Sequence, residues 1–323
     1  MQTSRTNLAT LNRPTIYAHR SHADGPSAAG APLPLTTIVP RELVHRASVS
    51  EVFLTHWETN SPDSFTVKAQ WPRGHALFVP SGGYQDPLLL VESVRQAGAL
   101  LSHAEYGVPF GYQFLMSDMS YSAQAGALAV GPVPTEVELL VDCYDIVRRG
   151  TRLAGLRYRV TVMRDGLPLA VAEAAFTCAS PSVYERLRGE RGTVAPAPSA
   201  PIAPALVGRT CSRDVVLSAG DSAWQLRFDT THPIFFDHPV DHVPGMVLIE
   251  AARQAAHAGA GLPHALPVHL TSAFERYVEF DAPCWIEAEA GTPAPDGRVT
   301  VEVRGSQNGR TAFTAAVTLQ PHH

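Results

Sequence analysis

The sequence predicts an α+β fold made of two tandem copies, each a long buried helix packed against an antiparallel sheet. Three observations point to it. The pattern E-x-x-R-Q occurs twice, and a constant spacing of 158 residues separates Glu92 from Glu250, Arg95 from Arg253 and Gln96 from Gln254. Each copy follows a proline and sits in an aliphatic run: DPLLLVESVRQ from Asp86, DHVPGMVLIEAARQ from Asp241. Strand-like segments recur in similar order around both, which is what a duplication leaves.

Each element has a local reason. Val44–Val52 and Ser64–Trp71 alternate apolar and polar residues as half-buried strands do. Asp86 is a plausible N-cap with Pro87 as the first helical residue, and the helix runs to about His103. A turn at Gly107–Gly111 leads into strand-like segments at Phe114–Gln124, Glu136–Ile146, Ala154–Arg164 and Leu169–Thr177, with Asp165-Gly166 as a hairpin turn. Val215–Leu217 and Trp224–Phe228 then read as strands, Pro244 as the start of the second helix, and Thr271–Phe280, Trp285–Ala290, Val299–Gly305 and Thr311–Leu319 as strands, with a turn at Asn308-Gly309.

The expected division is a disordered arm over residues 1–35, a first domain over 36–180, a proline-rich linker over 181–206 and a second domain over 207–320.

Composition excludes several function classes. A net charge of −5 and the lack of basic runs interleaved with aromatics argue against nucleic acid as a partner. No apolar run approaches the roughly 18–20 residues that span a bilayer, so no membrane partner is expected. Cys143, Cys178, Cys211 and Cys284 are widely spaced with no C-x-x-C pair, which reads as buried free thiols in a reducing, cytoplasmic compartment. Lys68 is the only lysine beside 24 arginines, a coding bias rather than a function.

Candidate chemistry gathers on the second helix. Glu250, Arg253 and Gln254 share one helical face in a segment with no other charge, so a buried carboxylate with a raised pKa is expected, suited to act as a base. Glu92 and Arg95 are the corresponding pair in the first half. His232, His238 and His242 crowd the approach to the second helix; their proline-broken spacing disfavours a metal, leaving His242, nearest the helix start, as a base and His238 as runner-up. Gly245 allows close approach to the helix N-terminus, where unpaired N–H groups can polarise a carbonyl. Neither metal nor cofactor is expected.

The run FFDHPVDHVPGMVLIEAARQA resembles the hotdog-fold 3-hydroxyacyl-carrier-protein dehydratases, with Glu250 six positions after Pro244, although His238 lies two residues closer to the Pro-Gly than the dehydratase histidine. From about residue 36 the chain more closely resembles the A-factor biosynthesis hotdog family (AfsA-type). The segments carrying this are VPRELVHR (39–46), DPLLLVESVRQAG (86–98), YGVPFGYQFLM (106–116), SPSVYERLRG (180–189), DHVPGMVLIEAARQAA (241–256) and RYVEFDAPCWI (276–286).

The resemblance implies a pseudo-dimeric double hotdog, two tandem domains with a helix wrapped by an antiparallel sheet. It implies an acyltransferase that moves a β-ketoacyl group from acyl carrier protein to the hydroxyl of dihydroxyacetone phosphate, toward a γ-butyrolactone, butenolide or furan signal that controls antibiotic production. Glu92, Glu250 and Arg253 are the positions it marks as active. Arg253 would pair with Glu250 or grip phosphate, Arg276 is a second phosphate candidate, and Gly245, Gln254, Arg95 and His238 complete the expected substrate contacts. A thioesterase or dehydratase, or a non-catalytic acyl- or lactone-binding module, is the alternative. Glu250→Gln is expected to abolish product without unfolding the chain. The fused halves suggest a monomer that mimics a dimer, or a homodimer.

Overall fold

The computed structural model describes residues 35–189 and 195–321. The arm expected over residues 1–35 therefore lies outside the described residues, apart from Leu35. Thr37–His323 forms one compact unit.

The first half contains strands β1 (Leu54–Ser61) and β2 (Ser64–Trp71), helix α1 (Leu88–Ala104), then β3 (Gln113–Ala123), β4 (Thr135–Arg149), β5 (Arg152–Arg164) and β6 (Leu167–Ala179). After helix α2 (Pro181–Arg188), the second half contains β7 (Leu217–Ser218), β8 (Trp224–Leu226), helix α3 (Gly245–Ala260), β9 (Leu266–Phe274), β10 (Cys284–Ala290), β11 (Val299–Gln307) and β12 (Arg310–Gln320). All strands join one antiparallel sheet in the order β1-β2-β4-β5-β6-β3-β9-β12-β11-β10-β8-β7. Read outward from the β3–β9 seam, the two sides have the same connectivity. At the seam Met119 pairs with Ser272 and Ser120 with Thr271, so a pseudo-twofold axis passes there.

Every residue of α1 from Leu88 to His103 is buried except Arg95, because the sheet curls around the helix rather than covering one face. The close approach is set at Gly98, where an added Cβ would lie 2.5 Å from the Tyr158 hydroxyl. That hydroxyl donates to Val94 O at 3.0 Å. The turns at Asp165-Gly166 and Asn308-Gly309 have positive φ at both residues, as tight hairpins require.

Four elements differ from expectation. Val44–Val52 is not a strand: two short 3-10 turns, Arg41–Val44 and Val49–Glu51, flank a left-handed His45, and the first strand lies later at Leu54–Ser61. Thr271–Phe280 runs as a strand only to Phe274, because the N–H groups of Glu275 and Arg276 both turn to Ala312 O and draw the chain off the sheet. Residues 181–206, expected as linker, begin with α2, whose Arg188 is 5% exposed and anchored to the second half. Pro244 takes an extended ψ of 145°, so α3 starts one residue later, at Gly245. The cysteines are all unpaired, though only Cys143 and Cys284 are buried. No described helix is long and apolar enough to cross a membrane.

Candidate functional site

Both E-x-x-R-Q faces point inward. Glu250 is completely buried, and its two oxygens accept from Arg209 Nε and Nη2, each at 2.8 Å, from Arg253 Nε and Nη2 at 2.9 and 2.7 Å, and from Gln254 Nε2. Gln254 also accepts the Val216 N–H and donates to Asp214 O. The first half repeats this arrangement. Glu92, also 0% exposed, is held by Arg46, Arg95 and Gln96, and Gln96 binds Phe53 N–H and Glu51 O.

This geometry corrects the raised pKa expected of a buried carboxylate here. Burial alone would raise the Glu250 pKa, but the guanidinium groups of Arg209 and Arg253 hold it down at about 2. Glu92 is likewise held at about 2 against its burial by Arg46 and Arg95. A carboxylate offers roughly four lone-pair positions; five donors on Glu250 leave none to take a substrate proton. Arg253 pairs with Glu250, the first of its two expected roles, and Gln254 is wholly buried behind them. His232 is also structural: its Nδ1 accepts the N–H groups of Ile234 and Phe235, as His75 Nδ1 accepts those of Leu77 and Phe78. No group of His, Cys, Asp or Glu among the described residues could hold a metal.

The remaining candidates converge elsewhere. A cavity of about 230 Å³ is lined by Arg95 from α1, by Gly245, Met246 and Ile249 from α3, and by His238 and His242 from the loop before α3. Phe78, Phe114, Met119, Phe176 and Phe235 make its walls largely apolar. The pseudo-equivalent cavity, where Arg253 faces the start of α1, is only about 90 Å³. His257 stands there in the position of Ala99, and Tyr84 in that of His242.

The two helix starts differ in the same sense. At α1 the Asp86 carboxylate accepts the Leu88 N–H at 2.9 Å. At α3 the corresponding residue is Pro244, which supplies no side-chain cap. The N–H groups of Gly245 and Met246 have no acceptor among the described residues. Two unpaired donors at the positive end of a helix, opening on an apolar cavity, are suited to hold an oxyanion.

Next to them, His242 Nδ1 is 2.7 Å from Asp241 Oδ1. With that proton on Nδ1, Nε2 is left as the basic nitrogen. Burial lowers the His242 pKa, partly opposed by Asp241, so the ring is neutral near pH 7. Asp241 is kept ionised against its own burial by Arg188 Nε at 2.9 Å, by His242 and by Tyr184. Arg188 also grips Glu279 through two bonds of 2.7 and 2.8 Å and lies over the Tyr277 ring. Sequence reasoning missed Arg188 because its partners Asp241 and Glu279 lie 53 and 91 residues away; Asp241, next to His242, could have been found. It also missed Arg46 and Arg209, although L-V-x-R recurs at Leu43–Arg46 and Leu206–Arg209 and could have been found.

His242 and Gly245 also line an open groove with Arg276 and Arg310. Arg276 is half exposed there and donates to Thr311 O. Of the expected site residues, then, Arg95, His238, His242 and Gly245 share one cavity and Arg276 lies in the adjoining groove. Arg253 faces the smaller cavity, while Glu92, Glu250 and Gln254 line neither.

A family model described as the A-factor biosynthesis hotdog domain matches residues 28–180 and 193–322. A Streptomyces virginiae protein named 2-oxo-3-(phosphooxy)propyl 3-oxoalkanoate synthase is 52% identical over 288 residues, covering 88% of this chain and 98% of its own. Streptomyces coelicolor and Streptomyces griseus proteins of the same name are 42% and 41% identical, each across 85% of this chain and 89% and 93% of their own. Among solved structures, a chain described as an oleoyl thioesterase from Lactobacillus plantarum superposes with a TM-score of 0.51 at 12% identity, over 80% of this chain and 97% of that one, a likeness of fold. With both halves matched by one family model and relatives aligned over most of its length, the chain belongs to the A-factor biosynthesis hotdog family.

Proposed function

We propose that this chain transfers a 3-oxoacyl group from the thioester of acyl carrier protein to the hydroxyl of dihydroxyacetone phosphate, forming the ester precursor of a γ-butyrolactone-type signal. The relatives are named for such an ester, whose alcohol part is dihydroxyacetone phosphate. The observation that carries the reading is the uncapped start of α3 beside the His242–Asp241 pair, at the edge of an apolar cavity.

The acyl chain lies in the cavity with its thioester carbonyl at the N–H groups of Gly245 and Met246. His242 Nε2 takes the proton of the acceptor hydroxyl, whose oxygen attacks the carbonyl carbon. The resulting oxyanion is held by the two N–H groups. As the tetrahedral species collapses, the carbon–sulfur bond breaks and His242 returns the proton to the departing thiolate. Arg276 and Arg310 in the groove supply exposed cations for the acceptor's phosphate. The carrier protein approaches from this open side, and the two halves make a pseudo-dimer within one chain.

The test is to incubate the purified chain with a 3-oxoacyl carrier protein, with and without dihydroxyacetone phosphate. Ester phosphate that forms only with acceptor supports transfer. Free 3-oxo acid released at the same rate without acceptor identifies a thioesterase, and tight lactone binding without turnover identifies a sensor.

A further inference from the structure

The transfer step leaves His45 and Arg95 of the cavity without a part. His45 lines the wall opposite α3's start, stacked on Phe114 at 4.9 Å. Its backbone is left-handed, φ 55° and ψ 51°, where a glycine is favoured. The equivalent residue of the second half is in fact Gly208, with φ 67°. A strained non-glycine conformation kept in one copy and relieved in the other points to a use for the side chain.

The proton positions around His45 follow from its partners. His103 Nδ1 lies 2.6 Å from Val108 O, which can only accept, so His103 carries its proton there and its Nε2 is an acceptor. His45 Nε2, 2.7 Å away, must then donate to it. This leaves His45 Nδ1 as a bare acceptor. Burial and the neighbouring Arg95 lower its pKa to about 3, which keeps the ring neutral. Arg95 uses Nε and Nη2 on Glu92 and Val44 O, whereas its Nη1 has no partner among the described residues. The wall therefore offers a free guanidinium donor and a bare imidazole acceptor beside the apolar Phe114, Met119 and Phe176.

The geometry points to Arg95 and His45 as the pair that reads the 3-oxo group of the acyl chain and so sets acyl specificity, an inference that rests on the transfer reading above. A 1,3-dicarbonyl satisfies both: its ketone oxygen accepts from Arg95 Nη1, and its acidified C2–H, or the O–H of its enol, faces His45 Nδ1. A saturated chain offers neither and would bury both groups unpaired, the situation in which a polar pocket rejects an apolar analogue most strongly.

The test compares 3-oxooctanoyl- and octanoyl-pantetheine in the full chain, by kcat/KM for ester formation and, separately, by calorimetric Kd. His45→Gly adopts the backbone already seen at Gly208, and His45→Asn keeps an acceptor on a residue that tolerates the left-handed region. The 3-oxo preference should fall about tenfold in His45→Gly, the worth of one hydrogen bond, and recover in part in His45→Asn, with KM for dihydroxyacetone phosphate unchanged. An unchanged preference in a folded His45→Gly protein would overturn the assignment. So would a raised KM for dihydroxyacetone phosphate alone, which would make the pair a phosphate site. Calorimetry needs no turnover, so a wild-type chain that prefers the 3-oxo ligand yet forms no ester would sink the transfer reading and leave the pair standing.

Discussion

Arg46 and Arg209 are pseudo-twofold counterparts, and each clasps its own half's carboxylate while reaching into the other half. Arg46 binds Glu92 and Ile234 O; Arg209 binds Glu250 and Leu77 O. Arg209 adds Asp86 Oδ2 at 3.3 Å. The paired E-x-x-R-Q faces thus lock two halves that could otherwise slide at the β3–β9 seam. The first prediction follows: Glu250→Gln leaves Arg209 and Arg253 buried with too little countercharge, costing about 3 kcal/mol. Urea denaturation should show that loss, whereas kcat of the folded fraction should stay close to wild type. A folded variant with no activity would return Glu250 to the chemistry.

The same buried groups set the response to acid. Glu92 and Glu250 have folded pKa values depressed to about 2 from an ordinary 4.5, so their contribution is present above pH 4.5 and is lost as pH falls toward 2. His45 and His257 are buried neutral, with pKa values lowered from 6.5 to about 3 and about 4. The unfolded chain binds protons on them first, so they too make stability fall with pH, beginning near 6.5. Denaturation midpoints should therefore drop steadily below pH 6.5 and steeply below 4.5. A flat profile down to pH 4 would show that these groups are not buried as described.

The His242–Asp241 pair predicts a different pH signature, in rate rather than stability. His242 must be neutral to act, so kcat should decline on the acid side, at a pH below the ordinary imidazole range because burial lowers its pKa. Asp241 opposes that lowering. Asp241→Asn should therefore move the acid limb to still lower pH while reducing kcat, and His242→Ala should reduce kcat roughly 100-fold or more. Arg188→Met removes a positive charge that lowers the His242 pKa, so it should move the acid limb the other way, to higher pH. An acid limb that stays in place in Asp241→Asn would remove the pair from the rate-limiting proton transfer.

The helices, the hairpin turns and the duplication were legible because each rests on local signals: proline starts, aliphatic runs and Asp-Gly or Asn-Gly pairs. The candidate cavity was not, because it forms across the pseudo-twofold axis. Sequence spacing groups Glu250 with Arg253, but the fold turns Arg253 toward the start of α1 and sets the start of α3 against Arg95 instead. A buried acid on an apolar helix was read from desolvation alone. Its countercharge, Arg209, lies 41 residues earlier and was not recognised as the repeat of Arg46. Arg188 stayed hidden in a proline-rich stretch whose composition resembles a linker even where eight residues form a docked helix.

The oxyanion role of the α3 N-terminus can be tested by one backbone atom. Gly245 is the first helical residue, where proline is tolerated because its N–H takes no part in the helix. Pro244 already has the extended ψ of 145° that a following proline requires. An added Cβ would come no closer than 4.0 Å to Phe274, so a side chain can start there without a clash. The first half already carries proline at this position, Pro87, in the copy whose helix start is capped by Asp86. Gly245→Pro should therefore fold with unchanged thermal stability and still bind acyl thioester, yet lose one of two donors to the developing oxyanion. Removal of one such donor elsewhere costs roughly 100- to 1,000-fold in kcat, and Gly245→Ala, which keeps the N–H, should retain far more. If proline and alanine at residue 245 slow the enzyme equally, the effect is steric and the carbonyl is held somewhere other than the mouth of α3.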